Sequence, residues 1–242
     1  MSALEGKVAV VTGASRGIGK AMVFALAAQG TTLCLVGRRP ETLQAVAEAI
    51  REKTQEVVFC PADLSDEAEV NRLVADIRDK VKRVDILIHC AGVIHLGPLE
   101  SASIEDMDEH YRTNVRAPYV MTQGLIPLLE AAKGQIVFVN SSAGLSARAN
   151  AGQYAASKHA LKAVADSLRE EVNPVGVRVL SLFLGRTASR MQASVAQMEG
   201  KTYQPELLIQ PEDVASLAIH ALCLPRSVEV TEISMRPLLK SY

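Results

Sequence analysis

The feature that most constrains the fold of this chain is a repeated alternation of short β-branched runs with longer helix-patterned stretches. Most of the short runs are apolar throughout, which is typical of parallel strands covered on both faces. The predicted strands are Val8–Val11, Thr32–Val36, Val57–Cys60, Ile86–His89, Ile136–Val139, Val177–Phe183 and Val228–Ser234. The predicted helices are Ile18–Gln29, Pro40–Lys53, Asp66–Val81, Ile104–Ala131, Gln153–Val172 and Pro211–Cys223.

Strands that alternate with helices predict β-α-β units with right-handed crossovers. The expected fold class is therefore α/β, a doubly wound parallel sheet of about seven strands with helices on both faces. The chain contains no linker, repeat or low-complexity tract, so residues 1–242 are predicted to form a single domain. Only residues 185–210 lack a clear element, and we expect a substrate lid at about 186–210.

Composition and charge exclude several classes of function. The net charge is −1 and aromatic residues make up 4% with no Trp, so no nucleic-acid partner is expected. The longest apolar run, Ala21–Ala28, is far shorter than the ~20 residues of a membrane span. The N-terminus carries no secretory pattern, and we expect a cytoplasmic protein with no membrane partner. The histidines lack metal-ligand spacing, so no metal site is predicted, and the cysteines are expected to be free thiols: Cys34, Cys60, Cys90 and Cys223.

A glycine-rich loop joins the first predicted strand to the first helix. Its glycines allow a tight turn and a close approach of the backbone to a pyrophosphate, and the helix N-terminus offers unpaired N–H groups to the phosphates. Glycines that serve only the turn are the alternative. The residues predicted to bind the cofactor here are Gly13, Ser15, Arg16, Gly17, Ile18 and Gly19.

The run Thr12-Gly13-x3-Gly17-x-Gly19 is similar to the T-G-x3-G-x-G motif of the short-chain dehydrogenase/reductase family, and the resemblance extends through nearly the whole chain. It implies a single Rossmann-like domain and oxidoreductase activity with a nicotinamide cofactor. In the family an acidic residue at the end of strand two selects NAD. Here Arg38 and Arg39 stand at that place, with no carboxylate to repel a 2′-phosphate, and Arg16 of the glycine loop adds a third positive charge nearby. The predicted cofactor is therefore NADP(H). The alternative is that Arg38 and Arg39 are solvated turn residues.

Two further segments resemble cofactor-binding positions of the family. Asp63-Leu64 is similar to its adenine-binding acidic site, with a plain turn at Asp63 and a helix cap at Ser65 as the alternative. Ala91-Gly92 retain the second half of the family's N-N-A-G motif, but His89-Cys90 replace both amides. The bracing that those amides provide must then come from elsewhere, and we interpret His89 as structural rather than catalytic.

The candidate catalytic residues are Asn114, Ser141, Tyr154 and Lys158. Tyr154 and Lys158 lie four residues apart in a predicted helix and so share one face. Ser141 ends the fifth strand, thirteen residues before Tyr154, and this order resembles the family's Asn-Ser-Tyr-Lys set. Ser142 remains an alternative to Ser141.

A free phenol titrates near ~10, and a nearby ammonium is expected to lower that pKa. Tyr154 would then exchange a proton with a carbonyl or alcohol oxygen that Ser141 also binds. The resemblance implies that Lys158 reaches the nicotinamide ribose and that Asn114 helps to order a water relay. After strand six the family usually has Pro-Gly; Leu184 departs from it, Gly185 is retained, and either Thr187 or Ser189 is expected to contact the nicotinamide.

The sequence thus predicts an NADP(H)-dependent oxidoreductase that acts on a small carbonyl or secondary alcohol. Arg148, Arg186 and Arg190 lie near the predicted lid, and the run Lys201–Gln204 is weakly similar to 3-hydroxy acid dehydrogenases, which favours a hydroxy or keto acid. The arginines are otherwise solvated lid residues. The alternatives are a 3-oxoacyl-thioester reductase and a non-catalytic NADP(H)-sensing regulator. The resemblance also implies a homodimer or homotetramer, because family members often pair the helices that correspond to Ile104–Ala131 and Gln153–Val172. The apolar stripes of these helices would serve equally well against their own sheet.

Overall fold

A computed structural model describes residues 2–54 and 56–239. Its strands are β1 (Val8–Thr12), β2 (Thr32–Gly37), β3 (Val57–Pro61), β4 (Ile86–His89), β5 (Gln135–Ser141), β6 (Arg178–Leu184) and β7 (Glu232–Met235). Its α-helices are α1 (Gly17–Ala27), α2 (Pro40–Ile50), α3 (Glu67–Lys80), α4 (Ile104–Tyr111), α5 (Ala117–Ala132), α6 (Gly152–Val172), α7 (Arg190–Met198) and α8 (Pro211–Cys223).

The strands form one parallel sheet in the order β3-β2-β1-β4-β5-β6-β7. The predicted fold class, a doubly wound parallel α/β sheet, is confirmed. The chain builds outward from β1 to β3 and then returns to place β4 beside β1. Ligands of such sheets bind at the carboxyl ends of the strands where the order reverses, so the loops after β1 and β4 are the expected site.

Apolar side chains cover both faces of the sheet, as the uniformly apolar strands predict. Residues that alternate along each strand face opposite ways. Ala9 and Val11 belong to a core with α1, α2 and α8, whereas Val10 belongs to a second core with α3, α5 and α6. Both faces of the sheet are therefore buried, and the loops at the carboxyl ends of the strands are what the sheet presents to a ligand.

The single long helix predicted over 104–131 is wrong. The structure has α4 and α5 with a turn of π-helix, Arg112–Arg116, between them. Pro118, in the first turn of α5, has no N–H to donate, so the α-helical hydrogen-bond pattern is not continuous there. Such widened turns occur frequently at functional sites, and this one carries Asn114.

Two predicted boundaries after residue 184 also differ. The last strand begins at Glu232 rather than Val228, and the Glu229 carboxylate accepts from the Val179 N–H at 2.8 Å in place of a backbone partner. The segment predicted to lack an element contains α7, which begins where the Ser189 hydroxyl accepts from the Gln192 N–H at 3.1 Å. Ser-x-x-Gln is a helix-start pattern that the sequence carries.

Within residues 2–54 and 56–239, no helix is both long enough and apolar enough to cross a membrane. The four cysteines are free thiols. Cys34 and Cys60 are buried on neighbouring strands, where the Cys34 Sγ donates to the Cys60 Sγ at 3.4 Å.

Candidate active site

The glycine loop after β1 is packed against the loop after β4. Gly13 has a φ of +67°, and a Cβ there would lie 3.0 Å from the Ala91 nitrogen. A Cβ on Gly19 would lie 2.2 Å from the Gly13 carbonyl oxygen. Both positions therefore need glycine, one for its conformation and its close neighbour and the other for helix-on-loop contact. The first turn of α1, which contains Gly17 and Ile18, begins without a side-chain cap, so its N–H groups are left for another acceptor.

Thr12, at the end of β1, joins the glycine loop to the loop after β4. Its hydroxyl accepts from the Cys90 N–H at 2.9 Å and the Ala91 N–H at 3.1 Å, and donates to the Ile88 carbonyl at 3.3 Å. The end of β1 therefore holds the main chain of Cys90 and Ala91 in place. Sequence reasoning used Thr12 only as a motif letter and missed this role.

His89 is buried, and the partners of its ring lie on α5 and β5. Its Nε2 lies 2.8 Å from the Thr122 hydroxyl, and its ring stacks on Phe138 with 5.0 Å between centroids. Burial lowers the pKa of His89 to about 3. A neutral, stacked imidazole agrees with a structural interpretation of this residue.

Four arginines gather around the glycine loop and the end of β2. Burial and the charges of Arg38, Arg190 and Arg39 all lower the pKa of Arg16. The sequence predicts that the fourth member, Arg190, lies near the substrate, but the structure places its charge beside Arg16 of the glycine loop. Ser15 faces the same place, because a Cβ on Gly37 would lie 3.8 Å from its hydroxyl oxygen. Such a group of guanidinium ions suits a phosphate.

Asp63 forms the turn that leads into α3. Its Oδ1 accepts from the Ser65 N–H at 2.9 Å and from the Ser65 hydroxyl at 2.8 Å, while Oδ2 lies 4.0 Å from Arg38. The suggested helix cap at Ser65 is wrong, because the Asp66 carboxylate caps α3. Leu64 is buried in the core beside α3. An adenine contact at Asp63-Leu64 stays a prediction.

Asn114 fixes the loop after β4 from the π-helical turn. Its Oδ1 accepts from the Val93 N–H at 2.9 Å, and its Nδ2 donates to the Val93 carbonyl and the Ser157 hydroxyl at 3.1 Å each. A Cβ on Gly92 would lie 3.0 Å from the Asn114 Oδ1 and 3.9 Å from the Lys158 Nζ. Asn114 and Lys158 therefore meet at Gly92, as expected, and the water relay stays a prediction.

Ser141, Tyr154 and Lys158 come together at the carboxyl end of β5. The Lys158 Nζ donates to the Val139 carbonyl at 3.1 Å and lies 5.9 Å from the centre of the Tyr154 ring. The Ser141 hydroxyl accepts from the Ala143 N–H at 3.1 Å, whereas Ser142 is exposed. This arrangement favours Ser141 over Ser142.

The electrostatics of Tyr154 differ from the expectation that a nearby ammonium lowers the pKa of the phenol. Burial raises the pKa of Tyr154, and hydrogen bonding with Ser141 and the charge of Arg148 act to lower it. Burial also lowers the pKa of Lys158 to about 8. The lysine is thus a weaker source of positive charge than a solvated ammonium, because its own ionised form is desolvated.

Asn140 and Ser157 support these residues, and sequence reasoning missed both. The Asn140 Nδ2 donates to the Lys158 carbonyl at 3.1 Å, and its Oδ1 accepts from the Ser141 N–H at 2.8 Å. The Ser157 hydroxyl donates to the Tyr154 carbonyl at 2.7 Å. Asn140 directly precedes Ser141 and Ser157 directly precedes Lys158, but adjacency alone gives no sign of these bonds.

The segment after β6 uses its hydroxyl groups internally. Thr187 is buried and donates to the Gly185 carbonyl at 3.2 Å. The Ser189 hydroxyl donates to the Thr187 carbonyl at 3.2 Å while it caps α7, and a Cβ on Gly17 would lie 3.5 Å from the Ser189 Cβ. Gly185 donates to Met235 at 2.8 Å. The choice between Thr187 and Ser189 as a nicotinamide contact stays open.

A doubly wound sheet with a phosphate-type glycine loop beside a Ser-Tyr-Lys group defines the class of dinucleotide-binding oxidoreductases. Residues 7–200 match the short chain dehydrogenase family. The chain belongs to this family and is an oxidoreductase of it.

Relatives and solved structures agree with this membership. An uncharacterized oxidoreductase of Staphylococcus haemolyticus is 30% identical over 239 residues, which cover 98% of this chain and 100% of the relative. Glycine betaine reductase ATRR of Emericella nidulans is 34% identical over 97% of this chain, which spans only 19% of that protein.

Among solved structures, an alcohol dehydrogenase from Thermococcus sibiricus complexed with 5-hydroxy-NADP has a TM-score of 0.89 at 27% identity, covering 98% of this chain and 99% of that one. A 3-ketoacyl-(acyl-carrier-protein) reductase from Brucella melitensis complexed with NADH has a TM-score of 0.83 at 28% identity, covering 96% and 98%.

Proposed function

We propose that this oxidoreductase transfers hydride between NADP(H) and a small carbonyl compound or secondary alcohol, with Tyr154 as the acid/base. The observation that carries the proposal is the meeting of Tyr154, Ser141 and Lys158 beside Gly92 at the edge where the strand order reverses. That is the place where this type of sheet binds ligands. A catalytic set in this place favours turnover over passive cofactor sensing.

The residues present fit a dinucleotide. Gly13 and Gly19 carry no side chain that would shield the main-chain atoms of the loop from a ligand. The N-terminus of α1 has no side-chain cap and can offer its N–H donors to a pyrophosphate. Arg16, Arg38 and Arg39 would hold a 2′-phosphate, which favours NADP(H) over NAD(H). The 5-hydroxy-NADP bound to the Thermococcus sibiricus enzyme supports this choice, whereas the NADH bound to the Brucella melitensis enzyme keeps NAD(H) as the competing cofactor.

When it is bound, the nicotinamide supplies or accepts the hydride. Tyr154 donates a proton from its phenol oxygen to the carbonyl oxygen in reduction and takes one from the alcohol in oxidation. Ser141 hydrogen-bonds the same substrate oxygen. Lys158 keeps a positive charge near the phenolate that forms, and Asn114 holds the loop that carries Gly92.

The test is oxidation of NADPH by purified protein with a panel of aldehydes, ketones and keto acids, run in parallel with NADH. We expect turnover that prefers NADPH and is lost in Tyr154→Phe, because the variant cannot exchange the proton. The same panel contains acyl thioesters, and a preference for them over free carbonyl compounds would favour the 3-oxoacyl-thioester reductase. Tight NADPH binding with no turnover on any compound would overturn the enzymatic proposal in favour of a sensor.

We further propose that the chain assembles into a homodimer or homotetramer through α4 and α5. These helices expose large apolar side chains, Met107 and Tyr111 on α4 and Tyr119 on α5. Light scattering during size-exclusion chromatography should give a multiple of the 26.0 kDa chain mass. Tyr119→Glu should lower that mass, whereas a monomeric wild type would contradict the proposal.

A further inference from the structure

Glu199, just after α7, shares its carboxylate among three cations. Its Oε1 and Oε2 accept from the Arg186 Nη2 at 2.8 and 2.6 Å. The Lys201 Nζ lies 3.3 Å from Oε2, and the Arg148 Nη2 lies 3.6 Å from Oε1. These cations come from three separate places: the end of β6, the segment after α7 and the loop between β5 and α6.

The innermost pair of this cluster is shielded from water. The Arg186 and Glu199 side chains are 15% and 19% exposed, while the Arg148 side chain is 59% exposed. Burial acts to raise the pKa of Glu199, but hydrogen bonds and charge from Arg186 and Lys201 lower it overall, so the carboxylate stays ionised. Arg148 is thus the outermost member and makes the longest of these contacts.

The charges of the cluster do not cancel. Arg148, Arg186 and Lys201 carry three positive charges against the one negative charge of Glu199, which leaves two in excess. Among the residues that the structure describes, none of the three cations pairs with a second carboxylate. A partly desolvated cluster of one sign concentrates small ions of the opposite sign.

Arg148 also lies close to the candidate acid/base. It stands six residues before Tyr154, in the turn that leads into α6, where its carbonyl accepts from the Ala151 N–H at 3.3 Å. Its charge acts to lower the pKa of the Tyr154 phenol. The cluster therefore presents, at the turn that leads to the candidate acid/base, an exposed cation that a substrate carboxylate can pair with.

We propose that Arg148 binds the carboxylate of a short hydroxy or keto acid, and that Glu199 occupies Arg148 as an internal competitor when no such substrate is bound. The inference rests on the proposed function and names its substrate class. On binding, the guanidinium of Arg148 exchanges the Glu199 carboxylate for that of the substrate. Arg186 and Lys201 remain paired with the Glu199 carboxylate, so the segment after α7 stays attached to the end of β6.

The experiment compares two ligands that differ by one charge, 3-hydroxybutyrate and its methyl ester. Calorimetry on NADPH-loaded protein measures binding without turnover, because the cofactor is already reduced and the alcohol cannot react. We expect the acid to bind about tenfold more tightly than the ester, a difference of ~1.4 kcal/mol. Arg148→Gln should bring the two affinities together by weakening the acid alone.

The second variant tests the competitor. Glu199→Gln removes the negative charge that occupies Arg148, so it should strengthen acid binding about threefold and leave the ester unchanged. The matched controls are Arg72→Gln, at an exposed residue of α3, and Glu206→Gln, at an exposed residue of the predicted lid. Neither residue belongs to the cluster. Both controls should keep the wild-type preference for the acid. An unchanged ester affinity in every variant shows that the fold and the carbonyl site are intact.

Three results would overturn the inference: equal binding of acid and ester by the wild type, a preference that survives in Arg148→Gln, or weaker acid binding in Glu199→Gln. The proposed function fails separately. It is contradicted if NADPH does not bind or if turnover on neutral ketones is independent of Tyr154. Tyr154-dependent turnover of neutral ketones together with equal binding of acid and ester contradicts the carboxylate site alone.

Discussion

The loop after β1 and the loop after β4 lie side by side, but they are held by different means. The first is shaped by absent side chains: Gly13 and Gly19 let main-chain atoms approach to distances that a Cβ would prevent. The second is held by buried polar groups, with Thr12 and Asn114 supplying hydrogen bonds to Cys90, Ala91 and Val93. The first loop therefore fails by steric overlap, and the second by unpaired donors and acceptors.

This difference indicates which property each loop controls. Bare backbone gives a phosphate access to N–H groups, so damage to the first loop should appear mainly as weaker cofactor binding. Asn114 also donates to Ser157, whose hydroxyl donates to the Tyr154 carbonyl, so damage to the second loop should appear in stability and turnover. Five predictions, from the largest expected effect to the smallest, test this division.

Tyr154→Phe should reduce kcat by about 10³-fold, because general acid–base groups contribute roughly 10²–10⁴-fold. NADPH affinity should change little, which separates the chemical step from cofactor binding. The measurements are steady-state turnover on a ketone and NADPH titration by its fluorescence. Ser227→Ala, which removes a hydroxyl from an exposed residue outside the site, is the control and should behave as wild type. Residual turnover near the wild-type rate would remove Tyr154 from its role.

Asn114→Ala should lower the free energy of unfolding by about 2–4 kcal/mol, because the Val93 N–H and carbonyl and the Ser157 hydroxyl lose a partner. Chemical denaturation measures the change. Asn71→Ala, on the exposed face of α3, is the matched control. Equal stability of the two variants would mean that the second loop does not depend on its polar partners.

Gly19→Ala should weaken NADPH binding about 30-fold, roughly 2 kcal/mol, since the new Cβ would have to push the Gly13 carbonyl out of place. At saturating cofactor, kcat should recover, because the candidate catalytic residues lie on β5, α6 and the π-helical turn rather than on the glycine loop. Gly97→Ala is the control, as its Cβ would meet Ala102 at an ordinary 3.7 Å. A loss of kcat with unchanged NADPH affinity would reverse the proposed division.

Arg38→Gln should lower the preference for NADPH over NADH about tenfold, the effect of losing one charge-assisted contact to a phosphate. The ratio of kcat/KM for the two cofactors measures the preference. Arg51→Gln, at an exposed arginine after α2, should leave it unchanged. A ratio that is unaffected in Arg38→Gln would assign Arg38 to solvent.

The smallest effect concerns pH. The folded protein takes up a proton at His89 only near pH 3, whereas the unfolded chain does so near the ordinary value of 6.5. Since the unfolded state then binds more protons, the free energy of unfolding should fall as pH falls through this window, by about 1 kcal/mol between pH 7 and 5.5. His89→Asn should remove this part of the pH dependence in denaturation curves, and His220→Asn, at an exposed histidine, should keep it. The same pH slope in all three proteins would contradict a neutral, buried His89.

Prediction from sequence succeeded where the determinant is local. The apolar strand runs and the glycine spacing express their structure within a few residues, and the doubly wound fold class follows from them. It failed where a distant partner decides. The Glu229 carboxylate accepts from the Val179 N–H, and β7 begins only at Glu232. Arg190 lies near Arg16, although the two residues are far apart in the sequence.

The chemistry of the site was predicted in its parts but not in its electrostatics. Helical spacing places Tyr154 and Lys158 on one face, as expected. Burial, however, is a property of the folded molecule, and it raises the pKa of the phenol while lowering that of the lysine. The roles of Asn140 and Ser157 were missed for the same reason, because their partners are defined by packing.

The widened turn at Arg112–Arg116 makes chain length itself a determinant of the site. A π-helical turn holds one residue more than an α-helical turn, and each residue of an α-helix advances the chain by about 100°. Deleting one residue here would straighten the path into α5 but rotate α4 relative to it. His110, whose ring now lies 5.9 Å from that of Tyr154, would turn away, and so would the Glu109 carboxylate, which lies 2.8 Å from the His95 Nε2. The extra residue therefore sets the rotation of α4, which borders Tyr154, relative to α5, which packs on one face of the sheet.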